Sequence, residues 1–509
     1  MHLRDSGLET AFDSAVRREL EENLHPPHWR NPTPAARYGM VVIGAGPAGL
    51  AAAQEAAAAG VSVALVERDL IGGDCLNYGC DPSKALIRSA RLYAEMREAR
   101  HYGVSGPGQV MVDFPAAMNR VLELRARLSR ATSPRVMKEA GIDLFLGSAC
   151  FSAADRLEVD GLTLHFDKAL IATGGEPDIP EIPGLEEVGY FTNETIFGIC
   201  DLPSRMLVVG GGPLGCEAAQ GFRRFGSRII IVQDMPLFLP HEERDAAQLL
   251  SVAFARDGIE IRLNTQVTHL RRVDGGIHAD LRSDDYQSSV VVDSVLIGTG
   301  RVPRGDEMCL AAAGVQHDPI NGIHVDDCLR TDNPAIFAVG DACMAHKYTH
   351  VAVATARMAV ANALHGDQQR VSQLIIPWCT YTDPEIAHVG LYVHQAMEQR
   401  VPVSTYTIPL HTVERAVLDG DEIGFIKLHV ADGSDRLLGA TIVSRDAGEM
   451  IGQVTQAMVA GVGMRSLAQV IHPYPTRSAA IGEAARAWCK QHPEAAHVTQ
   501  SDATAPPIF

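Results

Sequence analysis

Two stretches of the chain repeat the same order of apolar and polar positions. In each, a short run rich in β-branched residues enters a glycine turn, a helical segment follows, and a second apolar run ends at a polar side chain. The stretches read MVVIGAGPAGLAAAQEAAAAGVSVALVE at 40–67 and MLVVGGGPLGCEAAQGFRRFGSRIIIVQD at 206–234. This order predicts strand, turn, helix and strand, the repeating unit of a doubly wound parallel sheet.

Shorter patterns lie between and after these two stretches. ALIATGGEP (169–177) and SVLIGTGRVP (294–303) are apolar runs that end in glycine turns, and NPAIFAVGDAC (333–343) is an apolar run that leads to Asp341. Ligands of α/β sheets bind outside the carboxyl ends of strands, so Asp341 is expected at a ligand, with capping of the next helix as a compatible role. Residues 8–24 have helical periodicity and predict an arm helix that packs on a partner subunit.

The glycines of the first stretch have the spacing of a dinucleotide site. Gly44 allows the tight turn, Gly46 lets the backbone approach a pyrophosphate, and Gly49 lets the helix pack closely on the strand. The pyrophosphate is expected at the helix N-terminus, where free N–H groups and the helix dipole favour anions. Glu67, at the end of the second strand, is placed to accept hydrogen bonds from ribose hydroxyls.

The second stretch repeats this spacing at Gly210, Gly212 and Gly215. Its second strand ends at Gln233 and Asp234, where a carboxylate favours NAD and an arginine favours the 2′-phosphate of NADP. The acidic neighbour and the lack of an adjacent arginine favour NADH over NADPH. Two such sites in one chain predict two dinucleotides with electron transfer between them.

Composition excludes several classes of protein. The chain has 509 residues, enough for several modules, an apolar content of 46% and a net charge of −18 without a long basic run. Nucleic acid and anionic membranes require clustered Lys and Arg, so neither is expected as a partner. The long apolar region near the start is interrupted by Pro47, Glu55 and glycines, and the N-terminus lacks the order of a signal peptide. A soluble, cytoplasmic protein is therefore expected.

Ten cysteines are scattered along the chain, as is typical of a reducing compartment rather than of a secreted disulfide framework. Most are expected to be small buried residues. Only Cys75 and Cys80, in GGDCLNYGCDPSK (72–84), have a spacing that indicates more. They are compatible with a structural staple, half of a metal site, or a pair that cycles between thiol and disulfide. No second CxxC or paired histidine lies at the spacing of zinc ligands.

The residues after Cys80 favour the redox-active alternative. The letters CDPSK predict a helix start, with Asp81 as N-cap and Pro82 at the first helical position. A thiol at a helix N-terminus is biased toward the thiolate, which is the form that exchanges with disulfides. The Asp81 carboxylate opposes that thiolate, since like charges disfavour each other's ionised forms, unless capping absorbs its charge. Capping of the helix by Asp81 is the favoured explanation of how its carboxylate and the Cys80 thiolate coexist.

In this order, the pieces resemble the flavoprotein disulfide reductases, the family of glutathione reductase, dihydrolipoamide dehydrogenase and mercuric reductase. The resemblance rests on the two glycine turns and on GGDCLNYGCDPSK, ATGGEP, GTGR, AVGDA, TDPEIAHVGL and HPYPT. It implies an α/β fold with two Rossmann-like, doubly wound domains, FAD on the first and NADH or NADPH on the second. It also implies an α+β C-terminal dimerisation domain. Further cofactor contacts are expected at Ala149, Thr173, Gly300, Gly340 and Asp341.

In this family the C-x4-C pair is a redox-active disulfide next to the flavin. The resemblance makes Cys75 the interchange thiol that attacks the substrate and Cys80 the thiol that faces the flavin. Lys84 matches the family's lysine near the flavin and Glu217 matches its ion-pair partner, the alternative being an exposed salt bridge of little energetic value. Pro213 stands where glutathione and lipoamide enzymes usually carry an aromatic gate, which mercuric-reductase-like members often lack.

One part of the family pattern is missing. Disulfide-reducing members carry H-x-H-P-T-x-x-E near the C-terminus, and the second His, from the other subunit, is the acid and base for the interchange thiol. Here the segment is IHPYPTRSAA, which puts Tyr474 in place of that His, Ala479 in place of the Glu, and His472 in place of the first, non-catalytic His. A phenol, with a pKa of about 10, is a poor proton shuttle at neutral pH. Mercuric reductase also has Tyr at this position.

These observations divide the chain and limit its function. The expected parts are an arm (1–37), an FAD domain (38–185 and 307–371), an NAD(P) domain (186–306), an interface domain (372–490) and a tail (491–509). We expect a homodimeric enzyme that passes electrons from NAD(P)H through FAD and the cysteine pair to a small-molecule acceptor other than a glutathione- or lipoamide-type disulfide. The alternatives are a mercuric-type metal-ion reductase, a reductase of an unusual disulfide, and a flavin–disulfide redox sensor with little turnover. No resident metal site is expected.

Overall fold

The computed structural model describes residues 14–105, 110–284, 286–305 and 308–493. The chain forms two compact units. The first unit takes in the residues up to 238 together with 254–374, and the second takes in 239–253 together with the residues from 375 onward. The beginning of the predicted arm and most of the predicted tail lie outside the described residues.

The helices and strands are numbered in chain order. The strands are β1 (Tyr38–Ile43), β2 (Val63–Glu67), β3 (Ile142–Leu146), β4 (Ala149–Ala153), β5 (Arg156–Val159), β6 (Leu162–Ile171), β7 (Gly175–Pro177), β8 (Arg205–Val209), β9 (Arg228–Val232), β10 (Glu260–Arg262), β11 (Gln266–Val273), β12 (Gly276–Arg282), β13 (Gln287–Val292), β14 (Ser294–Ile297), β15 (Arg301–Pro303), β16 (His317–Asp318), β17 (Gly322–Ile323), β18 (Ile336–Ala338), β19 (Pro377–Thr380), β20 (Glu385–Gly390), β21 (Val403–Pro409), β22 (Phe425–Ala431) and β23 (Leu437–Ser444). The helices are α1 (Ser14–Leu24), α2 (Pro47–Ala58), α3 (Gly73–Asn77), α4 (Cys80–Glu98), α5 (Phe114–Ser129), α6 (Pro134–Glu139), α7 (Leu185–Val188), α8 (Asn193–Ile196), α9 (Pro213–Phe225), α10 (Arg244–Asp257), α11 (Thr349–His365), α12 (Val393–Glu398), α13 (Glu414–Asp419), α14 (Ala447–Val459), α15 (Met464–Gln469) and α16 (Ala479–Gln491).

The first unit contains a seven-stranded sheet that is assembled from two distant stretches of the chain. Its order is β3-β2-β1-β6-β5-β4, and β18 also pairs with β6. The strands β3, β2, β1, β6 and β18 are parallel, while β5 and β4 extend the sheet as an antiparallel hairpin. Every residue of β2 is buried, as expected for a parallel strand whose two faces are both covered. Helices α2 and α11 pack against each other beside this sheet.

The arm helix α1 packs within its own chain. Leu20 and Leu24 are fully buried in one apolar cluster with Leu70, Leu76 and Leu122. These two side chains are therefore buried within their own chain, and the packing of the arm on a partner subunit stays a prediction. The apolar side chains of α1 pack against the segment that carries the cysteine pair, and this packing stabilises that segment.

A second parallel sheet lies between the two stretches of the first. Its order is β10-β9-β8-β14, and α9 follows β8 through the second glycine turn. A three-stranded antiparallel sheet, β11-β12-β13, adjoins it in the chain, and small two-stranded sheets pair β7 with β15 and β16 with β17. The two parallel sheets confirm the predicted pair of Rossmann-like domains, the second inserted in the first.

The second unit is built on a five-stranded antiparallel sheet of order β19-β20-β23-β22-β21. One face buries an apolar core together with α14, α15 and α16. Two alternate positions of β22 carry buried polar side chains, Lys427 and His429, and Glu243 in the segment 239–253 contacts both of them. Glu243 lies 2.9 Å from His429 and forms an ion pair with Lys427. Although burial opposes ionisation, these two partners lower the pKa of Glu243 to about 2.

Within the described residues, no helix is both long enough and apolar enough to cross a membrane.

Candidate active site

The first glycine turn has the shape that a dinucleotide requires. Gly44 has φ 99°, and a Cβ there would lie 2.4 Å from the carbonyl oxygen of Ala172. A Cβ at Gly49 would lie 1.7 Å from the carbonyl oxygen of Gly44, so only glycine lets α2 approach β1 this closely. Gly46 is the N-cap of α2 and leaves its free N–H groups without a side-chain cap. This cradle fits a pyrophosphate.

Glu67 lies at the carboxyl end of β2 and is buried. Its carboxylate accepts hydrogen bonds from the backbone N–H of Ala45 at 2.7 Å and of Asp69 at 2.8 Å. Burial raises its pKa, and the two backbone donors oppose that change. The carboxylate therefore ties the glycine turn to the end of the second strand, and its role toward a ribose stays a prediction.

Asp341 follows β18 and lies on the same sheet as the first glycine turn. Arg301 Nε lies 3.6 Å from its carboxylate, and burial raises its pKa against the opposing effect of Arg301. The preceding Gly340 has φ 64°, and a Cβ there would lie 3.1 Å from the Cβ of Ala352 on α11. The sheet thus brings Asp341 to the carboxyl edge where a ligand is expected.

The other expected cofactor residues lie at ends of strands or in turns. Thr173 donates its hydroxyl hydrogen to the Arg304 carbonyl at 2.9 Å. Gly300, with φ 142°, connects β14 to β15, and Ala149 is the first residue of β4. Their contacts with a nucleotide stay predictions.

The second glycine turn repeats the geometry of the first. Gly210 has φ 104°, and a Cβ at Gly215 would lie 2.2 Å from its carbonyl oxygen. Gly212 is the N-cap of α9. Gln233 accepts a hydrogen bond from the backbone N–H of Gly211 at 2.7 Å, which places its amide at the turn rather than away from it.

The cysteine pair lies on two consecutive helices. Cys75 is in the middle of the short α3, and Cys80 is the first residue of α4. The predicted cap is wrong, because Gly79 is the N-cap and no side chain caps the helix. Asp81 and Pro82 therefore occupy the second and third helical positions. Proline is tolerated there because the first N–H groups of a helix have no intrahelical partner.

The surroundings make Cys80 the thiolate of the pair. The hydrogen bond from the Cys75 thiol, together with Thr349 and the positive charge of Lys84, lowers the pKa of Cys80 to about 6, against burial and Asp81. The same hydrogen bond and burial raise the pKa of Cys75. Thr349 Oγ1 lies 3.3 Å from Cys80 Sγ. A thiolate at Cys80 and a thiol at Cys75 are what the family roles require.

Lys84 and Glu217 form an ion pair beside the cysteines. Lys84 Nζ donates to Glu217 Oε2 at 2.8 Å. The side chain of Glu217 on α9 is 6% exposed and that of Lys84 on α4 is 36% exposed. A carboxylate this deeply buried needs its cation, so the pair is more than a solvated surface contact.

Asp81 is compensated by cations instead of by a cap. Arg125 on α5 is buried, and its Nη2 donates to Asn77 Oδ1 at 3.2 Å in the segment between the cysteines. Burial raises the pKa of Asp81, while the charges of Arg125 and Lys84 lower it. Sequence analysis missed Arg125, since no local pattern links a residue of α5 to the start of α4.

Asp74, the residue before Cys75, also belongs to a charged cluster that the sequence analysis missed. Its carboxylate accepts a hydrogen bond from Asn193 Nδ2 at 2.8 Å and lies 3.4 Å from Arg301 Nη1. Because Arg301 also lies beside Asp341, one guanidinium joins the cysteine helix to the sheet edge that carries Asp341. The only feature of the sequence that indicated a role for Arg301 was the GTGR pattern, which ends at this residue.

The C-terminal segment HPYPT lies in the second unit. Tyr474 is 78% exposed, and His472 Nε2 lies 2.9 Å from Gln453 Nε2. A cavity of about 430 Å³ is lined by both residues and by Glu483, one helical turn beyond Ala479. Ala479 begins α16. Tyr474 and Ala479, which stand in place of the family's His and Glu, therefore line one cavity. Glu483 is an acidic residue at this cavity that the sequence pattern did not predict.

Two other cysteines are bonded to each other. Cys150 on β4 and Cys309 form a disulfide, with their Cα atoms 5.3 Å apart. The expectation that the cysteines outside the C-x4-C pair are ordinary buried residues is wrong for these two. The sheet brings them together, although 159 residues separate them in the chain. Among the described residues, no group of three or more His, Cys, Asp and Glu side chains is arranged to hold a metal ion.

Two nucleotide cradles, a thiolate–thiol pair and a C-terminal α+β unit together define a flavin- and pyridine-nucleotide-dependent disulfide oxidoreductase. Residues 38–363 match the family described as pyridine nucleotide-disulphide oxidoreductase, and residues 376–485 match its dimerisation domain. The chain belongs to this family of enzymes, whose members bind FAD and NAD(P)H.

The chain is similar to members with different substrates. It is 35% identical over 456 residues to a mercuric reductase of Streptomyces lividans, covering 89% of this chain and 96% of that protein. It is 32% identical over 458 residues to a dihydrolipoyl dehydrogenase of Thermus scotoductus, covering 89% of this chain and 98% of that protein.

Solved structures show the same fold. The Cu(II) complex of the HOCl-induced flavoprotein disulfide reductase RclA from Escherichia coli is 28% identical, with a TM-score of 0.79 over 87% of this chain and 98% of that chain. LpdA from Mycobacterium tuberculosis is 28% identical, with a TM-score of 0.81 over 88% of this chain and 99% of that chain.

Proposed function

We propose that this protein is an NAD(P)H-dependent flavoenzyme whose Cys75–Cys80 pair delivers electrons to a thiophilic metal ion rather than to a glutathione- or lipoamide-type disulfide. The observation that carries the proposal is the replacement of the family's His and Glu by Tyr474 and Ala479. When bound, the nicotinamide and flavin nucleotides would supply the reducing equivalents by hydride transfer. The two glycine turns would hold these nucleotides, and Cys75 and Cys80 would carry the thiol–disulfide chemistry.

The geometry of the pair supports a role as a metal-binding dithiol. The reduction of a disulfide substrate ends with a thiolate leaving group that must take up a proton, and a family histidine normally provides it. A metal ion needs the opposite, because only deprotonated sulfur is a ligand. Cys80 is already biased to the thiolate, since its pKa is lowered to about 6. Binding of a cation then displaces the proton of Cys75, because its pKa is raised by the hydrogen bond to Cys80 as well as by burial, and the cation takes the place of that hydrogen bond.

The substitution of the acid–base pair supports the same choice. Tyr474 is largely exposed on its own subunit and stands in place of the family's second histidine, while His472 of HPYPT matches the first, non-catalytic histidine. A phenol oxygen can orient an incoming cation, whereas it is a weak proton shuttle at neutral pH. Relatives of this chain include mercuric reductases, and one similar solved structure is a Cu(II) complex.

We also propose that the working protein is a homodimer with NADH as the favoured donor. The dimerisation-domain match at 376–485 supports the homodimer, as do exposed apolar side chains such as Ile471, at 95%, and Val459, at 69%. Gln233 and Asp234 at the end of β9 support NADH, because neither side chain pairs with a 2′-phosphate. The domain boundaries given by sequence analysis remain part of this proposal.

The test is anaerobic reduction of the purified yellow protein with NADH and with NADPH, followed by steady-state assays with Hg(II), Cu(II), glutathione disulfide, lipoamide and a quinone. We expect metal-dependent oxidation of the nicotinamide that is lost in Cys75→Ser and in Cys80→Ser. Cys200→Ser is the matched control and should keep it, since Cys200 is not among the groups that shift the pKa of Cys75 or Cys80. Turnover of a disulfide at about 10 per second or more, without metal reduction, would overturn the proposal. Reduction of the flavin without turnover of any acceptor would instead favour a redox sensor.

A further inference from the structure

The Cys150–Cys309 disulfide joins the two separate stretches that build the first sheet. Cys150 lies on β4, in the antiparallel hairpin that extends this sheet. Cys309 lies in the return stretch that leads from the second sheet to β18. The chain between the two cysteines contains the whole second parallel sheet. The bond therefore closes a loop that contains the inserted second Rossmann-like domain. It links the hairpin of the first sheet covalently to the return stretch that leads to β18.

The backbone at Cys309 needs support from its neighbours. Its φ is 55°, in the left-handed region that residues other than glycine adopt only when the surroundings hold them there. Met308 and Leu310 on either side are buried, in the same apolar cluster as Phe151 and Leu157 of the hairpin. The disulfide adds a covalent tie at this exposed position.

The two cysteines of this bond differ in exposure. Cys309 is exposed and Cys150 is partly buried. A small thiol in solution reaches a disulfide through an exposed sulfur, and the buried partner then leaves. The pair is also distinct from Cys75 and Cys80, which lie on helices and are half-buried. The position of the bond thus permits exchange with small molecules without involving the catalytic pair.

We propose that Cys150 and Cys309 form a second redox-active disulfide, which low-molecular-weight dithiols open and low-molecular-weight disulfides close. Its closure fastens the return segment 308–315 to the β4–β5 hairpin. This inference is independent of the electron acceptor, and it assigns a thiol-modification site to the first unit.

The exchange chemistry balances without the flavin. A thiolate of the dithiol attacks the sulfur of Cys309, and Cys150 leaves as a thiolate that takes a proton from water. The second thiol of the reductant then attacks the mixed disulfide, forms its own cyclic disulfide, and releases Cys309 as a thiol. Two electrons pass from the dithiol to the protein. Closure by a small disulfide reverses the two exchanges and releases two small thiols.

Opening has two physical consequences. A disulfide that closes a long loop restricts the unfolded chain strongly, so the oxidised protein is the more stable form. The left-handed turn at Cys309 loses its covalent tie, so the backbone N–H groups of residues 308–315 exchange faster with solvent. Helices α3 and α4 hold no part of this bond, and their exchange should not change.

The experiment uses the full-length holoprotein with Cys75→Ser and Cys80→Ser, which leaves one expected disulfide. The protein is incubated with dithiothreitol or with oxidised glutathione and alkylated, and its peptides are analysed by mass spectrometry. We expect Cys150 and Cys309 to be labelled only after dithiothreitol treatment and to be protected again by oxidised glutathione. Dithiothreitol should lower the Tm by about 3 °C or more and speed exchange at 308–315.

Controls separate this bond from the other thiols. A further Cys309→Ser change should remove the response of the Tm to dithiothreitol, whereas Cys328→Ser, at a buried free cysteine, should keep it. The unsubstituted protein with and without dithiothreitol gives the same exchange test if a serine variant does not fold. Free labelling of both cysteines after oxidised glutathione would overturn the proposal. So would a closed bond whose opening changes neither the Tm nor the exchange at 308–315.

Discussion

Cys80 Sγ lies 3.3 Å from Thr349 Oγ1, although 269 residues separate the two in the chain. Each residue is the first of its helix, so the N-termini of α4 and α11 meet at one sulfur. Helix N-termini stabilise negative charge, and a hydroxyl donor adds to that effect. The thiolate at Cys80 is therefore held by the fold itself and not only by the neighbouring Cys75.

The reduced enzyme should show a long-wavelength thiolate-to-flavin absorption band that titrates near pH 6. The pKa of Cys80 is lowered to about 6, so the thiolate and its band are present above that pH and are lost as the pH falls through it. Cys80→Ser should abolish the band. Cys75→Ser should keep it, because serine still donates a hydrogen bond, and Cys75→Ala should move the midpoint to higher pH. An absorbance titration of the reduced proteins checks this. An unchanged midpoint in Cys75→Ala would contradict the assignment of the hydrogen bond.

Removal of the Asp81 charge should move the same midpoint to lower pH. The carboxylate raises the pKa of Cys80, and Asp81→Asn removes that repulsion with little change of shape. Glu139→Gln, at an exposed residue on α6, is the matched control and should leave the midpoint unchanged. If Asp81→Asn has no effect, then Arg125 and Lys84 already neutralise the carboxylate.

Loss of the Lys84 charge should destabilise the protein and slow the reduction of the flavin. Lys84→Met leaves the buried carboxylate of Glu217 without its cation, and we expect a decrease of about 1–2 kcal/mol in the free energy of unfolding, since Lys84 is partly exposed. Urea denaturation and stopped-flow reduction by NADH measure the two effects. Lys84→Met with Glu217→Gln should recover most of the stability, and recovery of the reduction rate as well would show that Lys84 has no role toward the flavin.

The change Tyr474→His with Ala479→Glu should create activity toward glutathione disulfide or lipoamide. The histidine restores a group that titrates near neutral pH, and the glutamate at the start of α16 can orient it, a position where the helix dipole also favours an acid. We expect an increase of about tenfold or more in kcat/KM for the disulfide. Tyr474→His alone should gain less. If the single and double variants gain equally, Glu483 already supplies the acid.

Mixed dimers should show whether two subunits share the site. Tyr474→Phe and Cys75→Ser subunits, each impaired as homodimers, should together regain one intact site when co-expressed, because Tyr474 of one subunit is expected to serve the cysteines of the other. Affinity tags of two kinds isolate the mixed species for steady-state assays. A monomeric mass by light scattering with full turnover would contradict the shared site.

Local patterns in the sequence predicted much of this fold. The glycine turns could be predicted because the spacing of Gly44 and Gly49 reflects contacts within one strand–turn–helix unit. The pairing of Lys84 with Glu217 was available only through the family resemblance, since it joins two helices that are distant in the chain. The sequence predicts the start of α4 too late, at Pro82 instead of Cys80. A glycine and a residue with a capping side chain, one or two positions apart, are equivalent candidates for the N-cap.

Contacts that depend on tertiary packing could not be predicted. Arg125 meets Asn77 only because α5 packs beside α3, and Thr349 meets Cys80 only because α11 returns to the same sheet. The Cys150–Cys309 bond depends on the return stretch lying beside the hairpin. Cysteine spacing is informative over short distances in the sequence, and it carries no information about partners on opposite sides of an inserted domain.

The ion pairs of Glu243 set a limit on how the chain can be cut. A fragment that starts at residue 375 has the complete five-stranded sheet and its helices, and it corresponds closely to the matched dimerisation region. It nevertheless lacks the segment 239–253, so Lys427 and His429 would lose the Glu243 carboxylate that lies beside both of them. The expressible unit is therefore discontinuous, and a fusion that joins 239–253 to the later residues through a flexible linker is the shortest version that keeps Lys427 and His429 beside Glu243.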